Sequence, residues 1–189
     1  MLNTNNPTQF ALPSRILHWL MAACLIAMLF IGVSMVASLG DYHTLLAIHR
    51  RLGILILLLA VFRLATRLLT KIPEFPTAMA KPERFVAKAS ERLLYTLFFA
   101  LPLVGWAMLS AGHYPIVMFG AVHLPPILPA KPGLYATLRE THTILAYLLF
   151  LTFLAHMSAI LFHTLILRDG LLNRMIPWSV RAAEGKTRM

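Results

Sequence analysis

Eight histidines in 189 residues are the side chains with most chemistry to offer, since neutral imidazole is the commonest metal ligand and titrates near neutral pH. Six of them, His18, His43, His49, His142, His156 and His163, lie in or at the edges of long apolar stretches. A ligand-forming residue is costly there and points to function. Any one alone is equally well read as a hydrogen-bonded interfacial histidine, but depth sorts four of them into pairs. His142 and His156 are fourteen residues apart on one stretch, which brings them within about 40° of one helix face and separates them by roughly 21 Å along its axis. That stretch therefore offers one imidazole to each side of a membrane. His49 sits at the depth of His142, and His18 at the depth of His156.

Two imidazoles per level, with no carboxylate or thiolate beside them, suit an iron already held by four porphyrin nitrogens, as in helical bundles that bind haem between two histidines. Structural zinc takes four protein ligands in one place and fits less well. The pattern therefore predicts two b-type haems. His163, seven residues beyond His156, is open to three readings: an alternative partner for His18, a hydrogen-bonding group for a quinone, or an interfacial residue. His43 competes with His49 but is expected in the preceding loop. His113 and His123 are read as exposed loop residues.

The elements that position these side chains follow from hydropathy. Hydrophobic residues make up 59% of the chain and charged ones 13%, with mean hydropathy +0.73, against about a quarter charged in soluble domains. Crossing about 30 Å of hydrocarbon needs roughly 20 apolar residues. Four stretches qualify, at about 16–37, 45–69, 93–111 and 143–167. The expectation is an all-α, integral membrane four-helix bundle forming a single domain over 1–189. Pro102 should kink the third helix, and the segment 112–139, with five prolines, should be irregular with a short helix near its end.

The net charge of +10 would suggest nucleic acid in a soluble protein, but these cations lie between apolar runs and report topology instead. Thirteen of the seventeen fall on one side: Arg15, Arg63, Arg67, Lys71, Lys81, Arg84, Lys88, Arg92, Arg168, Arg174, Arg181, Lys186 and Arg188. Arg50, Arg51, Lys131 and Arg139 fall on the other. The positive-inside rule then places both termini in the cytoplasm. Arg50, Arg51 and Arg139 are candidate partners for haem propionates outside, and Arg15 inside, or else interfacial anchors. Trp19, Trp106 and Trp178 are read as interfacial aromatics. The single cysteine, Cys24, excludes an internal disulfide and the C-x-x-C-H attachment of covalent haem. Met1 to Pro13 lacks the pattern of a signal peptide.

The ordered motifs resemble the bacterial cytochrome b561 family of small di-haem membrane cytochromes, which includes superoxide oxidase. They run from Arg15-Ile16-Leu17-His18-Trp19 through His49-Arg50-Arg51-Leu52-Gly53 with Arg63 and Arg67, then Leu94-Tyr95 and Leu101-Pro102-Leu103-Val104-Gly105-Trp106. Phe119-Gly120, Leu124-Pro125, Glu140-Thr141-His142, His156, His163 and Arg168-Asp169-Gly170-Leu171-Leu172-Asn173-Arg174-Met175 complete the set. The resemblance implies two haem b groups ligated at His18, His49, His142 and His156. It also implies a multi-pass protein of the bacterial inner membrane that moves electrons between the quinone pool and a partner at the outer face. That partner is superoxide, which would make the protein an oxidoreductase, or a periplasmic redox protein, which would make it an electron-transfer subunit or shuttle. One position departs from the pattern: family members often carry histidine four residues before Tyr95, where this chain has Glu91.

Overall fold

The computed structural model describes residues 8–38, 40–76, 79–117 and 122–177. Four long helices dominate them: α1 (Leu12–Ala37), α2 (Tyr42–Leu69), α3 (Lys81–Ala111) and α4 (Pro132–Phe162), the last continuing into a five-residue π turn, His163–Leu167. Each has the length and apolar composition to cross a membrane. Proline at the first or second position opens α1, α3 and α4, where a missing N–H costs nothing and the fixed φ suits a helix. At the start of α3 the Glu83 carboxylate accepts the Ala80 backbone N–H at 3.0 Å.

The outer surface is that of a protein solvated by lipid. Phe30 is 72% exposed and Val36 84%; in water such a surface would aggregate, whereas in hydrocarbon it has nothing to gain from burial. Most threonine hydroxyls of the last helix are satisfied locally, whereas the Ser14 hydroxyl in α1 is buried without a partner. Thr141, Thr143, Thr152 and Thr164 each donate to the carbonyl four residues back, as groups removed from water must.

The bundle is two antiparallel hairpins. α1 packs along α2 and α3 along α4, α2 also touches α3, and α4 meets α1 and α2 sparsely at most. The shared core lies at mid-depth: Met21 and Leu25 from α1, Ile56, Leu59 and Ala60 from α2, Leu97, Phe98 and Leu101 from α3, and Leu149 from α4. Leu149 is seven residues from both His142 and His156, so this apolar layer separates the two histidine levels.

With four helices in sequence, the start of α1 and the end of α4 lie at one end of the bundle, where the segment after α4 acts as a tie. The Phe10 N–H donates to the Arg174 carbonyl, the Trp19 indole to that of Met175 at 2.8 Å and Arg15 to that of Ile176 at 2.9 Å, while Arg174 donates to the Glu74 carbonyl. At the opposite end the loop between α3 and α4 is pinched by a bridge between Val117 and His123. It is held to α3 by the Trp106 indole, which donates to the Pro125 carbonyl, and to α2 by Arg50, which donates to that of Pro115.

Several boundaries differ from the hydropathy reading. α3 starts at Lys81, twelve residues before the apolar stretch, because its charged first turns lie beyond the hydrocarbon and form an ordinary polar helix. The short helix expected late in the outer loop is instead the first turns of α4. His43 is not in a loop: it is exposed on the first turn of α2. α3 runs through Pro102 without interruption. Trp178, Arg181, Lys186, Arg188 and the Phe119-Gly120 motif lie outside the described residues.

Candidate functional site

His49 on α2 and His142 on α4 face each other across the seam between the hairpins. Their ring centroids are 6.2 Å apart and the planes meet at 68°. They can approach because Gly105, on α3, leaves room: a Cβ there would lie 3.4 Å from Cε1 of His142 and 3.6 Å from its Nδ1. A Cβ alone would make ordinary contact there, whereas a longer side chain would reach into the ring's place.

At the opposite level of the interior, His18 of α1, His156 of α4 and Arg63 of α2 are neighbours. The Nε of Arg63 donates to the Tyr95 hydroxyl at 3.2 Å, and its guanidinium lies 5.7 Å from the centre of that ring. One turn further from the His49 level Arg67 forms an ion pair with Glu91 at 2.5 Å. α2 and α3 are thus joined by two rungs, Arg63–Tyr95 and Arg67–Glu91, each pair four residues from the next.

The histidine rings test whether a metal-centred group fits. Nδ1 of His18, His49 and His142 is buried with no hydrogen-bond partner, and leaving such an atom unsatisfied is expensive. Two imidazole nitrogens each about 2 Å from one metal, with roughly 1 Å more from nitrogen to ring centre, put centroids about 6 Å apart. The His49–His142 spacing meets that requirement. Each level presents two imidazoles, and among the described residues no three His, Cys, Asp or Glu side chains come together. The residues fit a group that fills the remaining metal positions itself, as a porphyrin does.

The other sequence candidates fall as follows. Arg50 lies beside the outer pair, half-buried, its Nε without a partner; Arg51 and Arg139 are exposed. Arg15 is tied to Gln9 and Ile176. His163 is buried in the π turn, with its Nδ1 2.6 Å from Oδ2 of Asp169. Arg168 adopts a left-handed conformation (φ 51°) and Gly170 follows with φ 73°, which folds Asp169 back beneath His163. Asp169 Oδ1 also accepts the Leu171 N–H at 3.0 Å. Burial alone would raise the Asp169 carboxyl, but the bonds from His163 and the Leu171 N–H outweigh it and hold it below the ordinary carboxylate value. Sequence reasoning gave Arg63, Tyr95 and Asp169 no site role. A signal was present for Arg63: it is a cation inside an apolar span.

The class so defined is the four-helix membrane bundle with imidazoles paired across its interior at two depths. The prokaryotic cytochrome b561 family matches residues 9–178, and the chain belongs to that family. It is 30% identical over 177 residues to cytochrome b561 homolog 2 of Escherichia coli (strain K12), across 92% of this chain and 94% of the relative. It is 32% identical over 133 residues to a probable superoxide oxidase CybB of Yersinia pestis, across 69% and 73%. A third relative, cytochrome b561 homolog 1 of E. coli (strain K12), is 25% identical over 173 residues, across 85% and 93%. Membership makes the protein a bacterial membrane cytochrome that binds b-type haem and transfers electrons.

Proposed function

We propose that the protein is a di-haem oxidoreductase of the inner membrane that passes electrons from superoxide at the periplasmic face to quinone. His49 and His142 ligate the outer haem, and His18 and His156 the inner one. Both termini are cytoplasmic, following the distribution of basic residues. The observation that carries the reading is the facing of the His49 and His142 rings at 6.2 Å, with the buried unpartnered Nδ1 of His18 as its counterpart at the other level.

Haem, when bound, supplies one-electron storage inside the bilayer. The chain's own residues set position and access. The apolar layer around Leu97, Phe98 and Leu149 keeps water from the interior between the two levels. Arg50, Arg51, Lys131 and Arg139 make the outer face attractive to a small anion. The balance closes: two superoxide anions each lose one electron to give dioxygen, and quinone takes two electrons and two protons. His163, with Nδ1 engaged by Asp169, has its Nε2 left to hydrogen-bond a quinone oxygen at the cytoplasmic face.

A reduced-minus-oxidised spectrum with a pyridine haemochrome assay of purified protein should give two haem b per chain. Pulsed superoxide should reduce the haem rapidly, with a rate that falls as salt rises. No reduction by superoxide would leave the second reading, an electron-transfer cytochrome between quinol and a periplasmic redox protein.

A further inference from the structure

We infer that Arg63 is the anion-binding residue of the inner site, held by Tyr95 so that its guanidinium meets a carboxylate of the group between His18 and His156. This rests on the haem reading above. The first observation is register. Arg63 lies fourteen residues beyond His49 on α2, just as His156 lies fourteen beyond His142 on α4. Fourteen residues return to nearly the same helix face about 21 Å deeper. Because α2 and α4 are antiparallel to their neighbours in matched register at His49 and His142, Arg63 arrives at the level of His156.

The second observation is charge. Arg67 has Glu91, but among the described residues no carboxylate pairs with Arg63. Its Nε donates to a neutral hydroxyl. A cation inside an apolar span pairs with something or lines a path, and a guanidinium fork matches a carboxylate better than any other anion of that size. The third observation is the competition. Of the other arginines of this end, Arg84 donates to the Met79 and Pro76 carbonyls, Arg174 to that of Glu74 and Arg168 to that of Leu165, and Arg92 is exposed. Arg15, although its Nε is buried without a partner, already donates to Gln9 and to the Ile176 carbonyl near the start of α1. Porphyrin propionates are carboxylates, and Arg63 is the cation placed to receive one. Tyr95 is the positioning residue, since it fixes the guanidinium without adding charge.

A cation beside a group that gains an electron favours the reduced state. Arg63→Gln should therefore lower the reduced-to-oxidised ratio of the inner haem about tenfold at a given potential, a shift of about 59 mV for one electron. The outer haem should be unmoved. Redox titration of the purified holoprotein measures both, with the inner haem identified as the one lost in His156→Ala. Arg63→Lys, which keeps the charge, should restore most of the shift, and Tyr95→Phe should move the inner haem in the same direction by less. If Arg63→Gln does not accumulate, the Arg63→Lys and Tyr95→Phe pair decides. Inner potentials equal to wild type in both Arg63→Gln and Tyr95→Phe, or in Tyr95→Phe when the glutamine variant is lost, overturn the assignment. So do equal shifts of both haems. Wild-type protein with fewer than two haems would instead overturn the reading on which it rests.

Discussion

The rings of His49 and His142 stand 6.2 Å apart although the helices that carry them barely meet. α2 leans on α1 and α3, α4 leans on α3, and the two imidazoles reach across the seam that remains. At the other level His18 on α1 and His156 on α4 lie at matching depths on helices that likewise meet sparsely at most. Histidines that reach across the seam add the bound group to the α2–α3 packing and the shared core that already join the two hairpins.

That arrangement predicts a division of labour among four substitutions. His49→Ala and His142→Ala should each remove mainly one haem, and His18→Ala and His156→Ala mainly the other, by pyridine haemochrome stoichiometry and low-temperature spectra. Loss of the same haem in all four would sink the two-level assignment.

Gly105 tests the packing of the outer pair. Its absent Cβ would meet the His142 ring at 3.4 Å, an ordinary contact, so Gly105→Ala should keep near-normal haem content. Gly105→Leu adds atoms where the ring stands and should displace His142, with loss of the outer haem and retention of the inner one. Full occupancy at both levels in the leucine variant would show that the ring has room to move.

The Arg67–Glu91 pair is partly exposed, with side chains 29% and 33% accessible, so its value is that of a rim interaction. Glu91→Gln should cost about 1 kcal/mol or less, a fall of roughly 2–4 °C in the melting temperature of a chain this size, measured in detergent. A double-mutant cycle with Arg67→Gln should return most of that loss as coupling. Additive effects would show that the pair contributes nothing.

Asp169 carries a pH signature. Its carboxyl is held below the ordinary value in the folded chain. A depressed folded value means that its contribution is present above the unfolded carboxylate pKa, about 3.9, and is lost as pH falls through the lower folded one. The stability advantage of wild type over Asp169→Asn should therefore be full at neutral pH and shrink below about pH 4. A difference that persists unchanged in acid would assign the effect to shape rather than charge.

Much of this protein is legible without coordinates, and the reason is the bilayer. Hydrocarbon demands long apolar stretches and forbids unpaired backbone, so the four spans and the costly histidines within them stand out in one dimension. Fourteen-residue spacing then sorts the histidines by depth, because helix geometry fixes both rise and phase. Hydropathy is blind to helix beyond the hydrocarbon, which is why the first turns of α3 and α4, and with them His43 on α2, were misplaced.

What only the tertiary structure decided is which side chains meet. That His163 is engaged by Asp169 depends on the left-handed turn at Arg168, a backbone choice that no periodicity encodes. That Arg67 pairs with Glu91 while Arg63 rests on Tyr95 depends on the relative rotation of α2 and α3. Depth along a helix is a property of the chain; the angle at which two helices present their faces to each other is a property of their packing.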